Sequence, residues 1–504
     1  MNLAGKLTAA ASTRADAVAL WWRDESLTHG ELSARAARFA GGLVGLGVGP
    51  GDRVGVVCAN NPYWVISYVA ALWAGATVVP VNPQGSPDEI ARELDGTGTV
   101  VAVVGPAGRK AVDAARDAGG LGGVTVVGAG SSAEHGTGGA LSFDDLLESE
   151  PMPMVERADA DLAVLAHTSG TSGSPKAAML THGNLGSNLD QALAHPTLTV
   201  DERDVALGVL PLFHSYGLNA VLGLGLATGG AIVLVERFDP HGDIETIRER
   251  GVSVVAGVPP MFAAWLALPD LGADAFAGVR LAMSGAAPLP VEVQRGFHEK
   301  FGVALHQGYG LTEASPIVTT TGSEGSPPPG SIGVPLPGVE VRLVDLDGED
   351  TLVGDAGEIW VRGANVFAGY WHDEEATKRV LDDDGYLHTG DIAVADDGGH
   401  LFIVDRSKDL IIVSGFNVYP AEVEEVLMRH EGVAEAAVIG VPHPHTGETV
   451  KAFVVEAPGA HLDEEELVAH CAKHLARYKA PSAVEFVDEL PRGLAGKLLR
   501  RNLV

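Results

Sequence analysis

The chain has 504 residues, 46% of them hydrophobic and 20% charged, which points to a globular protein of two or three lobes with a large core. A net charge of −32 excludes a sequence-independent nucleic-acid binder and argues against an anionic membrane surface as a standing partner. The two cysteines, Cys58 and Cys471, are too few for a disulfide framework and are expected to be reduced residues of a cytoplasmic protein.

The N-terminal run Met1 to Ala17 lacks a basic start and a long apolar core, so no signal peptide is expected. No apolar stretch is long enough to predict a transmembrane helix. Leu32 to Leu46 has amphipathic helical spacing, Arg53 to Ala59 reads as a buried strand, Tyr63 to Ala74 as a helix and Thr77 to Val81 as a strand. This alternation is the rhythm of parallel α/β units. Gly45, Gly47, Gly49 and Gly51 imitate a dinucleotide fingerprint. They follow a helix and precede a strand, the reverse of what that fingerprint requires, so they read as a helix stop and turn.

Leu162 to Ala166 is an apolar strand that runs into His167-Thr168-Ser169-Gly170-Thr171-Ser172-Gly173-Ser174-Pro175-Lys176. A strand feeding a Gly/Ser/Thr-rich turn can aim several backbone N–H groups at one point, which suits a phosphate. Lys176 adds a compact cation. A flexible surface loop is the alternative reading. The spacing is not that of a Walker A loop, which ends Gly-Lys-Ser/Thr.

Gly128 to Gly139 and Gly322 to Gly330 read as exposed loops. Beyond Gly333 the pattern shortens to turn-punctuated strands at Val339 to Val344, Glu358 to Val361 and His400 to Val404, a β-rich subdomain. Pro420 is placed to start a helix, and Asp463 with Glu466 signals another. The expected fold is therefore α/β. A large N-terminal lobe (1–404) holds αβαβ-type subdomains and the β-rich part, residues 405–409 form a hinge, and a small mobile α+β lobe follows (410–504).

Several short clusters suit nucleotide chemistry. Tyr309-Gly310-Leu311-Thr312-Glu313 supplies a turn, a hydroxyl and a carboxylate able to hold Mg²⁺. Ser284-Gly285-Ala286-Ala287-Pro288 is a small-residue loop against which a flat ring could lie. Asp391 could take a ribose hydroxyl pair. Each alone is weak, since a loop carboxylate is usually only solvated.

Their order resembles that of the adenylate-forming superfamily, the acyl-CoA synthetases, firefly-type luciferases and peptide-synthetase adenylation domains. The resemblance runs from about residue 10 to the C-terminus, through TSGTSGSPK, PLFHSYG (211–217), SGAAPL (284–289), YGLTE (309–313), LHTGD (387–391), VDRSKDLIIVSGFNVYP (404–420) and LPRGLAGKLLRR (490–501). Ala177 departs from it, where the family usually has glycine.

The resemblance implies a two-step ligase that uses ATP, Mg²⁺ and CoA. A carboxylate attacks the α-phosphate and releases pyrophosphate, and a thiol then displaces AMP. It implies that Lys497 bridges carboxylate and α-phosphate, and that Thr168, Ser169, Gly170, Thr171, Ser172, Gly173 and Lys176 hold the β- and γ-phosphates. Thr312 would contact the α-phosphate, and Glu313 with Thr168 would hold the metal. Gly285, Ala286, Ala287, Tyr309 and Gly310 would bracket adenine, Asp391 and Arg406 would take the ribose, and His214 would stand at the carboxylate entrance. Lys408 is the implied hinge residue, and Ser414, Gly415 and Phe416 would line the thiol channel once the small lobe has swung.

The phrase IIVSGFNVYPAEVEEVL is most similar to medium- and long-chain fatty acyl-CoA synthetases, and the apolar runs Leu218 to Leu226 and Val258 to Leu268 suit an acyl tunnel, although such runs are more often core. An aryl or other small-acid CoA ligase, or an acyl-AMP-forming enzyme with another acceptor, is the alternative. A peptide-synthetase domain would need an acid where His214 and Ser215 stand. A silent nucleotide-binding regulator should lack Glu313 or Lys497, and both are present. The expected partners are the acid, ATP and CoA, with neither nucleic acid nor integral membrane association, and a homodimer is allowed.

Overall fold

The computed structural model describes the chain apart from residues 131–140, 169–175, 324, 326, 346, 407–410, 414–415, 444–446, 476–478, 493–497 and 504, and apart from the side chains of 405, 406, 412, 416, 417, 447 and 501. It is α/β, with a large N-terminal part of mixed sheets and helices and a smaller C-terminal part. By compactness one unit is Met1–Glu340 with Val361–Leu387, and the other is Val341–Trp360 with His388–Val504. Of the hinge expected at 405–409, residues 407–409 lie outside the described residues.

Two sheets build the first unit. The seven-stranded sheet runs, in spatial order, Leu141–Ser142, Thr125–Gly128, Thr99–Val104, Arg53–Val57, Thr77–Pro80, Leu162–Thr168 and Lys176–Thr181. All neighbours are parallel except the last two, which form an antiparallel hairpin in which Thr168 faces Lys176. The near-continuous Val/Ala runs of the inner strands are what a sheet covered on both faces requires. Helix Pro62–Trp73 helps to cover it and helix His29–Gly45 packs on that helix, and local chemistry fixes both starts. Thr28 and Glu31 make a reciprocal capping box, and Asn61 caps a helix whose first residue is Pro62. The glycines after the first helix behave as a stop and turn, with Gly47 and Gly51 at φ of 91° and 83°.

The nine-stranded sheet runs Val334–Pro335, Ile317–Thr320, Leu305–Gly310, Leu281–Ser284, Val254–Gly257, Val205–Gly208, Ala231–Leu234, Val18–Trp22 and Glu25–Thr28. Its central strands are parallel, so their carboxyl ends open on one edge. Ligands in open parallel sheets bind outside that edge. The loops leaving it carry PLFHSYG, SGAAPL and YGLTE. Beneath them Phe262, Trp265, Phe276, Phe297 and Phe301 form an edge-to-face aromatic cluster with centroids 4.9–5.7 Å apart. Phe262 and Trp265 are wholly buried in it. Within Val258–Leu268 these two rings are therefore packed core, while Val258, Ala263, Ala264 and Leu266 are only half-buried.

A four-stranded sheet joins Val339–Val344, Gly357–Gly363, Leu387–Ala395 and Leu401–Arg406. A five-stranded sheet holds Phe416–Val418, Ile411–Val413, Gly447–Glu456 and Val433–His443, with Ala483–Phe486 parallel to Gly447–Glu456. Helices Pro420–Met428 and Glu464–His474 belong to the second unit, each starting at its signalled residue, and Asp463 accepts from the Glu466 N–H. Cys58 and Cys471 are free and buried, and burial pushes their thiols up to about 12 and about 11. No helix among the described residues is long and apolar enough to cross a membrane.

Candidate active site

In the first unit the site residues converge on the hairpin around residues 169–175. Ser169, Gly170, Thr171, Ser172 and Gly173 lie outside the described residues, and the two strands that flank them fix where they leave and return. Thr168 ends one strand and its hydroxyl donates to the Lys176 carbonyl across the hairpin at 3.4 Å. The Lys176 ammonium lies 5.2 Å from the centre of the Tyr370 ring. The Tyr370 hydroxyl in turn donates to Glu313 Oε1 at 2.7 Å. Burial and the Glu313 carboxylate hold that phenol far above its ordinary range, so it stays a donor. Glu313 also accepts, through its backbone carbonyl, from the Phe367 N–H at 2.8 Å. Tyr370 carried no signal in the sequence, standing 57 positions from Glu313 with no spacing rule to connect them.

Thr312 precedes Glu313 in a single turn of 3₁₀-helix after strand Leu305–Gly310. Its hydroxyl is 3.1 Å from that of Ser215, which is 3% exposed. His214 is exposed, and its Nδ1 accepts from the Tyr216 N–H at 3.3 Å. From Tyr216 to Gly223 the backbone winds as a π-helix, a geometry often found beside functional sites. Asn219 on it donates to the Ser315 carbonyl at 2.8 Å and so ties this stretch to the Thr312–Glu313 turn. Ser215 was legible through its place in PLFHSYG; Asn219 was not.

The adenine-bracketing candidates follow two neighbouring parallel strands. Gly285, Ala286 and Ala287 leave Leu281–Ser284, while Tyr309 and Gly310 close Leu305–Gly310. Two glycines are sterically required here. A Cβ on Gly285 would stand 2.9–3.1 Å from the Tyr216 ring, and one on Gly310 would stand 1.8 Å from the Pro316 carbonyl oxygen. Ala286 is held at φ 66°, a left-handed conformation that costs a non-glycine residue about 1 kcal/mol or more and clusters at binding sites. The Tyr216 hydroxyl donates to the Met283 carbonyl at 3.4 Å.

Beside the hairpin lies a cleft of about 310 Å³ whose lining includes Arg92, Glu93, His167, Lys176, Trp371 and Asp373. His167 Nδ1 is 3.8 Å from Glu93 Oε2. Burial pushes Glu93 up to about 7 and His167 down to about 4, so between those values both are uncharged. The contact there is one of neutral groups and not an ion pair. His167 opens the run His167–Lys176, whereas Glu93 carried no motif. His182 is 2% exposed and packs inside the fold, where its Nδ1 accepts from the Leu3 N–H at 3.1 Å.

In the second unit Asp391 is 7% exposed and stands opposite Arg406 in the pairing of Leu387–Ala395 with Leu401–Arg406. The two residues expected to share the ribose are thus cross-strand neighbours in backbone register. Their loop is held by the Thr389 hydroxyl donating to the Ile359 carbonyl at 2.8 Å and the Gly390 N–H donating to Glu358 Oε1 at 2.8 Å. His388 stacks on Trp360 at 3.8 Å. Phe416 begins a strand and its backbone pairs with Val413. Lys408, Ser414, Gly415 and Lys497 lie outside the described residues.

Glu313 and Thr168 suit Mg²⁺. Glu313 has one carboxylate oxygen committed to Tyr370, and Mg²⁺ typically takes one or two protein carboxylates with phosphate oxygens and water. No group of three or more His, Cys, Asp or Glu side chains among the described residues could hold a metal, so the nucleotide would supply most of its ligands.

A family model described as "AMP-binding enzyme" matches residues 7–371, and one described as "AMP-binding enzyme C-terminal domain" matches residues 422–497. Among relatives, the feruloyl-CoA synthase of Amycolatopsis sp. is 40% identical over 94% of this chain and 93% of its own. The long-chain-fatty-acid–CoA ligase of Yersinia pestis is 39% identical over 95% of this chain and 90% of its own. Among solved structures, ATP-bound MatB from Rhodopseudomonas palustris is similar with a TM-score of 0.90 and 34% identity, covering 100% of this chain and 98% of that one.

Proposed function

We infer, for a chain that belongs to the AMP-binding enzyme family and is an acid–CoA ligase using ATP, that its acid is a medium- or long-chain fatty acid. The observation that carries the chemistry is the line Lys176–Tyr370–Glu313 beside the hairpin, with Thr312 and Ser215 next to it. It sets a cation, a protonated phenol, a carboxylate and two hydroxyls around one place at the carboxyl edge of the parallel strands.

The attacking carboxylate and the triphosphate are both anions, so the chain must supply positive charge and fixed donors to bring them together. Lys176, Thr168 and the residues of 169–173 hold the β- and γ-phosphates, the leaving pyrophosphate. Thr312 steadies the α-phosphate. Glu313 with Thr168 would hold Mg²⁺, which screens phosphate charge when bound. Tyr370 fixes the Glu313 carboxylate by donating to it. Asp391 and Arg406 take the ribose, and Gly285, Ala286, Ala287, Tyr309 and Gly310 bracket the base. Lys497 bridges the acid and the α-phosphate. After adenylation the small lobe turns about Lys408, withdraws Lys497 and brings Ser414, Gly415 and Phe416 to the thiol path, with His214 at the carboxylate entrance.

An aryl acid is the second reading. The Tyr216 ring lies against the Gly285 backbone, a flat wall beside the site, and feruloyl-CoA synthase is among the relatives. Pyrophosphate release over C2 to C18 acids and aryl acids, with and without CoA, separates the two. The fatty-acid reading predicts the highest kcat/KM among C8 to C18 acids. Turnover of aryl acids with none of any aliphatic acid would exclude it.

A further inference from the structure

Residues 493–497 are bracketed by two anchored stretches. On one side Arg492 pairs as an antiparallel bridge with Leu498, the Leu499 N–H donates to the Pro491 carbonyl at 2.8 Å, and Arg492 donates to Glu435 Oε2 at 2.7 Å. That ion pair is half exposed and worth little by itself. On the other side Arg500 makes a forked contact with Glu424, its Nη2 lying 2.8 Å from both carboxylate oxygens and its Nε 3.3 Å from Oε1. The Glu424 and Arg500 side chains are only 16% and 21% exposed. Glu424 is itself fixed, because Oε1 also accepts the Val438 N–H at 2.7 Å and its helix, Pro420–Met428, packs on strand Val433–His443. Beyond Arg500 a turn of 3₁₀-helix sets Leu503, 8% exposed, into a cluster with Ala437, Ile439, Phe453 and Leu490.

A partly buried, forked arginine–carboxylate pair defines a direction as well as an energy, because the planar guanidinium fits the carboxylate in one plane. Arg500 is three residues from Lys497. Three residues of chain span at most roughly 11 Å, so fixing Arg500 confines where the lysine can be carried.

We propose that Glu424 is a positioning residue for adenylation, acting through Arg500 to hold the chain that presents Lys497. This rests on the reading that Lys497 serves the first half-reaction. Glu424 touches neither substrate nor nucleotide in this account. Its carboxylate sets the Arg500 guanidinium, and the guanidinium sets the chain. The second half-reaction does not use Lys497 and should not depend on the pair.

The test is Glu424→Gln in the full-length enzyme, which keeps an oxygen for the Val438 N–H and removes the charge. Acid-dependent ATP–pyrophosphate exchange should fall about 10- to 100-fold in kcat, as displacements of a reacting group on the order of 1 Å do. The KM for ATP should move little, and CoA-dependent AMP release from supplied acyl-adenylate should be kept. Arg500→Gln should reproduce the split, and Arg500→Lys should recover part of the exchange by keeping the charge. Equal loss of both half-reactions would show a merely structural pair and overturn the proposal. Lys497→Ala is run beside them. If it loses exchange while Glu424→Gln does not, the positioning role alone falls; if Lys497→Ala keeps exchange, the reading beneath it falls and takes the proposal with it.

Discussion

The Glu93–His167 pair shows what burial does at a single residue. His167 is the last residue before Thr168, and Glu93 reaches it from helix Pro87–Gly96. Burial places the folded Glu93 at about 7, above its unfolded value of 4.5. A folded value above the unfolded one means stability that is complete at low pH and lost as pH rises. The loss sets in above 4.5 and is complete above about 7. Glu93→Gln carries no charge to bury, so it should gain on the parent between pH 5 and 8, by up to ~3 kcal/mol for a shift of this size. Urea unfolding of both proteins at the two pH values checks this, and a difference that does not change with pH would mean that Glu93 is ionised in the fold at pH 5. His167, pushed down to about 4, acts oppositely over a largely overlapping range: its contribution is lost as pH falls from 6.5 toward 4.

At the scale of elements, Asn60 links the two sheets of the first unit. It follows strand Arg53–Val57, and its side chain donates to the Gly208 and Leu210 carbonyls at 2.9 and 2.8 Å and accepts from the Leu212 N–H at 3.0 Å. It is 5% exposed, so removing it strands the Leu210 carbonyl and the Leu212 N–H, while the Gly208 carbonyl keeps the Val235 N–H at 3.1 Å. Asn60→Ala should cost about 2–4 kcal/mol. Because Leu210–Leu212 leads into His214 and Ser215, it should also reduce exchange activity at temperatures where the protein remains folded. A calorimetric Tm within a degree of the parent would contradict the first expectation. Much at this scale was legible beforehand. Helices at Leu32–Leu46 and Tyr63–Ala74 and the strands at Arg53 and Thr77 announce themselves through period and capping residues, and the folded elements differ by a few residues at their ends. Contacts between distant segments were not legible. Asn60 with Leu212, Tyr370 with Glu313 and Glu424 with Arg500 stand 152, 57 and 76 positions apart, and no local pattern encodes such pairings. The apolar run Val258–Leu268 was ambiguous for a related reason. A tunnel wall and a core helix share one composition, and only the packing of Phe262 and Trp265 distinguishes them.

For the whole molecule, the order of motifs along the chain identified more than any motif did alone. HTSGTSGSPK by itself allows an anion site or a surface loop. The folded first unit pairs Thr168 with Lys176 and sets the Lys176 ammonium near the Tyr370 ring, whose hydroxyl donates to Glu313; the proposed phosphate role draws on that line. The second unit pairs Asp391 with Arg406 and anchors both sides of residues 493–497. A net charge of −32 adds a general demand. Each anionic substrate must find local cations, because the protein's overall field opposes its approach. The central claim is that the acid itself attacks the α-phosphate and that CoA enters only afterwards. Carrying out one turnover with acid labelled with ¹⁸O in both carboxylate oxygens tests it most directly. The account predicts one labelled oxygen in the AMP and none in the pyrophosphate, because the attacking oxygen stays on phosphorus when the thiol displaces AMP. Unlabelled AMP, or label in the pyrophosphate, would contradict it.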